Sequence, residues 1–95
     1  MISKELLFEV CGTQAREYFE EEKTYKPEFY INIYELAHKC KEWAALRQWN
    51  LQSAIYMLDS TAYCELADSS FKEVFQAETE PAAIFKACQW ILDNK

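Results

Sequence analysis

The sequence has 95 residues, of which 51% are hydrophobic and 16% aromatic, and it carries a formal net charge of −6. A chain of this size and hydrophobicity is expected to fold as one domain spanning residues 1–95, because burial can offset the conformational entropy lost on ordering. The acidic balance argues against direct binding to nucleic acid or to an anionic membrane, since phosphates attract Lys and Arg.

Targeting signals and cysteine usage both indicate a cytoplasmic protein. The sequence lacks a run of roughly 20 apolar residues that would span a membrane, and its first residues, Met-Ile-Ser-Lys-Glu, do not resemble a signal peptide. The four cysteines at positions 11, 40, 64 and 88 each lie among apolar neighbours. We therefore expect reduced, buried thiols rather than disulfides.

The first predicted element is a short helix, Lys4–Cys11. Ser3 is suited to cap it, and Ile2 and Leu7 occupy the two positions of a hydrophobic staple. Gly12, the only glycine of the chain, stands where the helix would end on a left-handed residue.

Residues 13–26 give conflicting signals. Their Gln, Ala, Arg and Glu residues favour helix, whereas Tyr18, Phe19 and Tyr25 favour strand. The run Phe29-Tyr30-Ile31, beyond the proline at position 27, also favours strand. The sequence leaves 13–26 undecided.

Two amphipathic helices are predicted more clearly. The first begins at Asn32, has Glu35 at the capping-box position and extends to about Trp49, with Asn50 closing it in place of glycine. The second begins at Thr79 or Glu80, has a proline in its first turn and extends to about Asn94. Both carry apolar residues at helical spacing: Ile33, Leu36, Ala37, Cys40, Trp43 and Ala44 in the first, and Ile84, Ala87, Cys88 and Ile91 in the second.

The segment between these helices has two interpretations. With a period of two, residues 51–58, 61–66 and 71–77 are three strands joined by turn-forming Asp and Ser residues. With a period of 3.6, Leu51, Ala54, Ile55, Leu58 and Ala62 form the stripe of a helix. Periodicity alone does not decide between them.

The segments 33–44 and 77–92, with a variable stretch between them, resemble small uncharacterised phage and prophage proteins. In that group a helix leads into an antiparallel sheet on which a second helix packs, and the resemblance identifies no active site. It favours strands in the middle segment and implies a phage or mobile-element origin, hence a host-cell cytoplasmic location. The expected fold class is α+β, with two amphipathic helices on a small antiparallel sheet and a short N-terminal helix. The alternative is all-α.

Catalytic and metal-binding patterns are weak. His38, the only histidine, is two residues from Cys40 on one predicted helix, a spacing that points the two side chains apart. The cysteines lack Cys-x-x-Cys spacing, and one glycine cannot build a phosphate-binding loop. We therefore expect a non-enzymatic protein with no metal or cofactor.

Charge is segregated along the chain. Residues 50–80 hold six acids and one base, net −5, whereas residues 32–49 hold two acids and three bases, net +1. Acids interleaved with aromatic residues are typical of a face that binds a basic partner, as in proteins that imitate a nucleic-acid backbone. The simpler interpretation is that these acids keep the domain soluble. The candidate interface residues are Trp49, Tyr56, Asp59, Tyr63, Glu65, Asp68 and Glu73.

These residues lead to a functional hypothesis with one alternative. The hypothesis is an acidic protein-binding module that inhibits a basic host protein, such as a nucleic-acid-binding or defence protein. The alternative is a self-associating accessory protein that forms a homodimer through exposed aromatics and a sheet edge.

Overall fold

The computed structural model of the chain describes residues 2–12, 15, 19–20, 24–25, 32–55 and 61–94, with the backbone alone at 19–20 and 24–25. Within this part of the chain there are three helices, a two-stranded pair and a three-stranded antiparallel sheet, so the α+β prediction is confirmed and the all-α alternative is wrong. The elements in order are α1 (Lys4–Cys11), β1 (Phe19–Glu20), β2 (Thr24–Tyr25), α2 (Ile33–Leu46), β3 (Asn50–Ile55), β4 (Ala62–Ala67), β5 (Lys72–Ala77) and α3 (Glu80–Asp93).

Helix α1 begins and ends as its sequence predicts. The Ser3 hydroxyl accepts a hydrogen bond from the Leu6 amide at 3.1 Å and donates one to Gln89 of α3 at 2.5 Å, so the cap also ties α1 to α3. Gly12 follows the helix with φ +61°, a region that glycine adopts without strain. Ile2 and Leu7, the predicted staple, are both buried.

The undecided region 13–26 contains one antiparallel pair. Strands β1 and β2 align Phe19 with Tyr25 and Glu20 with Thr24, so these positions follow the strand signal of Phe19 and Tyr25. Ala15 is buried in the core. The remainder of the region and the strand predicted at 29–31 lie outside the described residues.

Helix α2 starts at the predicted cap but ends earlier than predicted. The Asn32 carboxamide oxygen accepts from the amides of Tyr34 and Glu35 at 2.8 and 3.4 Å. The helix ends at Leu46, where Gln48 takes the left-handed conformation with φ 67°. The expectation that Asn50 closes the helix is wrong, because Asn50 is already the first residue of β3.

A Schellman motif forms this helix end. The Gln48 amide donates to the Ala45 carbonyl at 2.9 Å, and the Trp49 amide donates to the Ala44 carbonyl at 3.0 Å. These bonds satisfy carbonyls that a helix terminus otherwise leaves without partners. They also turn the chain directly into β3, with Trp49 at the junction.

The sheet has strand order β3-β4-β5, and its central strand decides which side chains face the helices. Ala62, Cys64 and Leu66 of β4 are fully buried, whereas the alternating Tyr63, Glu65 and Ala67 are half-buried on the opposite face. The pairing of Cys64 with Ser53 and with Phe75 extends the helix-facing side to both neighbouring strands.

Helix α3 is capped by Thr79, whose hydroxyl accepts from the Ala82 amide at 3.2 Å, with Pro81 in the first turn. The contacts between α2 and α3 advance in the same direction along both helices, from Tyr34 beside Pro81 to Cys40 beside Cys88. The two helices therefore run parallel, and their carboxyl ends lie at the same end of the molecule. Between them and the sheet is the core.

Candidate functional site

Three aromatic rings meet where α2, α3 and the sheet all end. The Trp49 ring lies edge-on to Phe71 and to Trp90, with ring centroids 5.9 and 5.7 Å apart. Phe71 and Trp90 are stacked, with centroids 4.8 Å apart and planes inclined by 18°. All three residues are half-buried and pack against the core on one side. We call Trp49, Phe71 and Trp90 the aromatic cluster.

The β4–β5 turn brings Phe71 to this position. The Asp68 carboxylate accepts from the amides of Ser70 and Phe71 at 2.8 and 2.7 Å, and the Asp68 amide donates to the Phe71 carbonyl at 3.0 Å. This Asx turn fixes the backbone from which the Phe71 ring projects. Because Asn50 pairs with Ala67 and Ala67 pairs with Lys72, the next row of the sheet places Trp49, Asp68 and Phe71 side by side.

Carboxylates lie on two sides of the aromatic cluster. Asp68 is exposed within the same row as Trp49 and Phe71. Asp93 is exposed on α3, three residues after Trp90 and therefore on a neighbouring position of the helix surface. The last turn of α3 contains no basic residue, so the negative end of the helix dipole adds to these charges.

The basic residues closest in sequence are engaged elsewhere. The Arg47 guanidinium lies 4.2 Å from the centroid of the Trp43 ring and 3.3 Å from the Glu9 carboxylate of α1. The Lys72 ammonium lies 3.5 Å from Glu65, on the face of the sheet opposite the helices. Neither cation is directed at the aromatic cluster.

The predicted interface residues are distributed over several surfaces. Tyr63 and Glu65 share the sheet face opposite the helices, Glu73 is paired with Leu66 on the helix-bearing side, and Asp68 is in the turn. The acids therefore do not line a single face, and the charge of Glu65 is partly offset by Lys72. Tyr56 and Asp59 lie outside the described residues.

Trp49 is brought together with Phe71 and Trp90, which the sequence did not connect with it. The sequence places Phe71 at the start of the predicted strand 71–77 and Trp90 within the second predicted helix, and local periodicity does not show where a turn and a distant helix meet. The signal that would have found the cluster is the strand register, since pairing Asn50 with Ala67 brings position 49 next to the β4–β5 turn.

All four cysteines face the interior from different elements. Cys40, Cys64 and Cys88 are fully buried and Cys11 is half-buried, and none of the four forms a disulfide. Hydrogen bonding to Cys88, followed by burial, raises the pKa of the Cys40 thiol far above its usual range. Burial, followed by the nearby Cys88, raises the pKa of Cys64 to about 12. Thiols with raised pKa values are poor nucleophiles, because the thiolate is the reactive form.

A shallow cleft of about 190 Å³ between α2 and α3 contains the histidine. Here His38 and Lys41 of α2 face Glu80 of α3. His38 is 72% exposed and lies 3.4 Å from Glu42, while Glu80 accepts from the Ser53 hydroxyl at 2.7 Å. Cys40 is buried on the other side of α2, so a thiolate-imidazole pair does not form between Cys40 and His38. Among the described residues, no group of three or more His, Cys, Asp or Glu side chains is placed to hold a metal ion.

Comparisons with known proteins found no matching family model, curated protein or solved structure. In the described ranges, no helix is both long enough and apolar enough to cross a membrane.

Proposed function

We propose that this chain is a non-enzymatic protein-binding module of phage or mobile-element origin. It covers the basic surface of a host protein that binds nucleic acid or acts in defence, and thereby inhibits it. The observation that carries the proposal is the aromatic cluster of Trp49, Phe71 and Trp90, which is half-buried at one end of an acidic chain.

Aromatic rings at such a position suit protein recognition. Tryptophan is enriched among the few interface residues that contribute most of the binding free energy. The contacts with the core and with each other hold the three rings in place, so little side-chain entropy is lost when a partner covers them.

The charge distribution selects the kind of partner. The hairpin and the residue after it carry carboxylates at 65, 68, 73 and 78 and a single lysine at 72. Complementary charge steers a basic partner toward this hairpin as a whole and raises the association rate, an effect that salt screens. In the described part of the chain, the strongly shifted pKa values are those of the thiols of Cys40 and Cys64. Both thiols are buried and their pKa values are raised, which makes them poor nucleophiles.

A pull-down from a bacterial lysate tests the proposal, with captured proteins identified by mass spectrometry at about 50 mM and about 300 mM salt. The expected result is retention of nucleic-acid-binding proteins at low salt and their partial release at the higher salt. Trp49→Leu is expected to reduce capture, whereas Tyr34→Ala, at the opposite end of α2 and 65% exposed, is the matched aromatic control. Failure of the wild-type chain to retain any such protein would contradict the proposal.

Two double variants that change the net charge equally test how much the position of the charges contributes to binding. The double variant Glu73→Gln and Glu78→Gln removes two exposed carboxylates, one within β5 and one just after it, and Glu35→Gln with Glu42→Gln removes two exposed carboxylates from α2. Capture is expected to fall more in the first variant, and equal losses would mean that only total charge matters.

A second candidate function, self-association, is favoured by Ile55. This residue is 57% exposed at the end of β3, which is an edge strand of the described three-stranded sheet. An exposed apolar residue on an edge strand is suited to pairing with a second copy. Light scattering tests this: a dimer in the wild type and a monomer in Ile55→Lys are expected, and a strict monomer at high concentration would exclude it.

A further inference from the structure

We infer that the aromatic cluster receives an arginine side chain of the partner, with the guanidinium stacked against the outside of one of these half-buried rings and paired with Asp68. This inference rests on the proposed function and names the chemical group that the site recognises.

The rings are arranged for stacking against a flat group. Phe71 and Trp90 already stack at 4.8 Å, and Trp49 meets both edge-on, so the space between the rings is filled. A closed cluster of this kind cannot enclose a quaternary ammonium, which needs an open cage of ring faces. A planar guanidinium instead lies against the outside of a ring, where it combines cation–π attraction with stacking.

The carboxylate next to the rings suits the same group. Asp68 is exposed, and Oδ1 of its side chain accepts both hydrogen bonds, from the amides of Ser70 and Phe71. These bonds hold the carboxylate in a fixed orientation beside the backbone of Phe71. A guanidinium offers several N–H donors in one plane, so it can reach this carboxylate while its face contacts a ring.

The surroundings favour a cation over a neutral group. Asp93 lies near Trp90, and the carboxyl end of α3 contributes partial negative charge without a basic residue in its last turn. Arg47 and Lys72 are held by Glu9 and Glu65 away from the cluster. The chain itself demonstrates the contact, since its own Arg47 lies 4.2 Å from the centroid of the Trp43 ring while pairing with a carboxylate.

The test compares hexa-arginine and hexa-lysine peptides, which carry the same charge, in titrations of the full chain at about 50 mM salt. The readouts are calorimetry and the intrinsic fluorescence of the tryptophans. We expect the arginine peptide to bind about tenfold more tightly, because lysine lacks the planar stacking surface. Equal affinity for the two peptides would overturn the inference.

Two variants assign the preference to the site. Asp68→Asn keeps an oxygen that can accept the Ser70 and Phe71 amides but removes the charge, and it is expected to lower the arginine-to-lysine affinity ratio by about threefold or more. Glu73→Gln, which removes a charge on β5 outside the cluster, is expected to weaken both peptides by the same factor. An unchanged ratio in Asp68→Asn would overturn the role of this carboxylate.

The peptides also separate this inference from the proposed function. If both bind equally and salt weakens both, a basic partner still fits while the arginine preference is wrong. If neither binds at low salt, the charge-based docking of the proposed function fails as well.

Phe71→Leu, checked for folding by circular dichroism, removes the ring stacked on Trp90 and is expected to abolish the preference for the arginine peptide. A retained preference in the folded variant would overturn the inference.

Discussion

The thiol of Cys88 lies 3.5 Å from the backbone carbonyl of Cys40, where it donates a hydrogen bond between α3 and α2 although the two residues are 48 positions apart. Both side chains are fully buried. The nearby Cys88 also contributes to the raised pKa of Cys64 in β4. The three cysteines thus meet in the core from three elements, α2, α3 and β4. The pKa values of Cys40 and Cys64 are both raised, so these two thiols resist ionisation in the folded chain.

Stability is therefore expected to fall in alkaline solution. The pKa of Cys64 is raised from 9.0 to about 12 in the folded chain, so above pH 9 the unfolded chain loses this proton while the folded chain keeps it. This difference favours unfolding as the pH rises. The free energy of unfolding falls by up to about 1.4 kcal/mol per pH unit between the two pKa values. Cys40 acts in the same direction. In urea unfolding with reductant, wild type should lose about 1–2 kcal/mol more than Cys64→Ala between pH 7.5 and 10.

The comparison with Cys64→Ala removes the contributions of lysines and tyrosines, because these are common to both proteins. A constant difference between wild type and variant at the two pH values would show that Cys64 ionises equally in both states.

Reactivity toward thiol reagents is expected to follow burial. Cys11, which is half-buried at the end of α1, should be labelled by DTNB in the native chain, whereas Cys40, Cys64 and Cys88 should react only after denaturation. Cys11→Ser is expected to remove the fast phase. Rapid labelling of more than one thiol in the folded protein would contradict the described packing.

The left-handed Gln48 is a local source of instability. Its φ is 67°, and in this region a residue with a Cβ is less stable than glycine by about 1 kcal/mol. Gln48→Gly is therefore expected to raise the free energy of unfolding by about 0.5–1 kcal/mol, part of the gain being offset by greater freedom in the unfolded chain. The control Gln52→Gly, in β3, should be destabilising by a similar amount. Chemical denaturation measures both, and a loss of stability in Gln48→Gly would be the contrary result.

The helices and their caps were predictable because their signals are local. Ser3, Asn32 and Thr79 each lie at the cap position that the structure confirms, since a capping side chain bonds to amides two or three residues away. The end of α2 was not predictable in the same way. Nothing local marks Gln48 as left-handed, and the residue that follows it, Trp49, makes its ring contacts with Phe71 and Trp90, which are distant in sequence.

The sheet was predicted as one of two alternatives. Alternating apolar residues fitted both a helix and strands from 51 onward, and pairing with residues 62–67 decides for strands. The aromatic cluster depends on this pairing, so it could not be derived from the segments one at a time. The charges of 50–80 were visible in the sequence, but their division between two sheet faces and a turn needed the register.

Trp43 carries the one buried side-chain nitrogen or oxygen without a hydrogen-bond partner in the described residues, its indole Nε1. An unsatisfied buried donor costs about 1–3 kcal/mol. Trp43→Phe removes this donor together with part of the packing, so we expect a change in unfolding free energy of less than about 1 kcal/mol. Trp43→Ala should cost about 3–5 kcal/mol. A loss in Trp43→Phe as large as in Trp43→Ala would indicate that the indole nitrogen makes a stabilising contact.

Asp93 opposes the dipole of the helix that it ends. Its carboxylate accepts from the Gln89 side chain at 3.0 Å, an interaction that an asparagine oxygen can also make. Asp93→Asn is therefore expected to stabilise the chain by about 0.3–1 kcal/mol at low salt, and the gain should shrink as salt screens the charge. Glu80→Gln, at the amino end of the same helix, retains the acceptor for Ser53 but removes a favourable charge, so it should be destabilising by a similar amount.

The Asp93→Asn variant also tests the binding surface. If Asp93→Asn is more stable but binds the arginine peptide more weakly, the carboxylate that destabilises the free helix also attracts the cation. A gain in stability with unchanged peptide affinity would place Asp93 outside the binding surface.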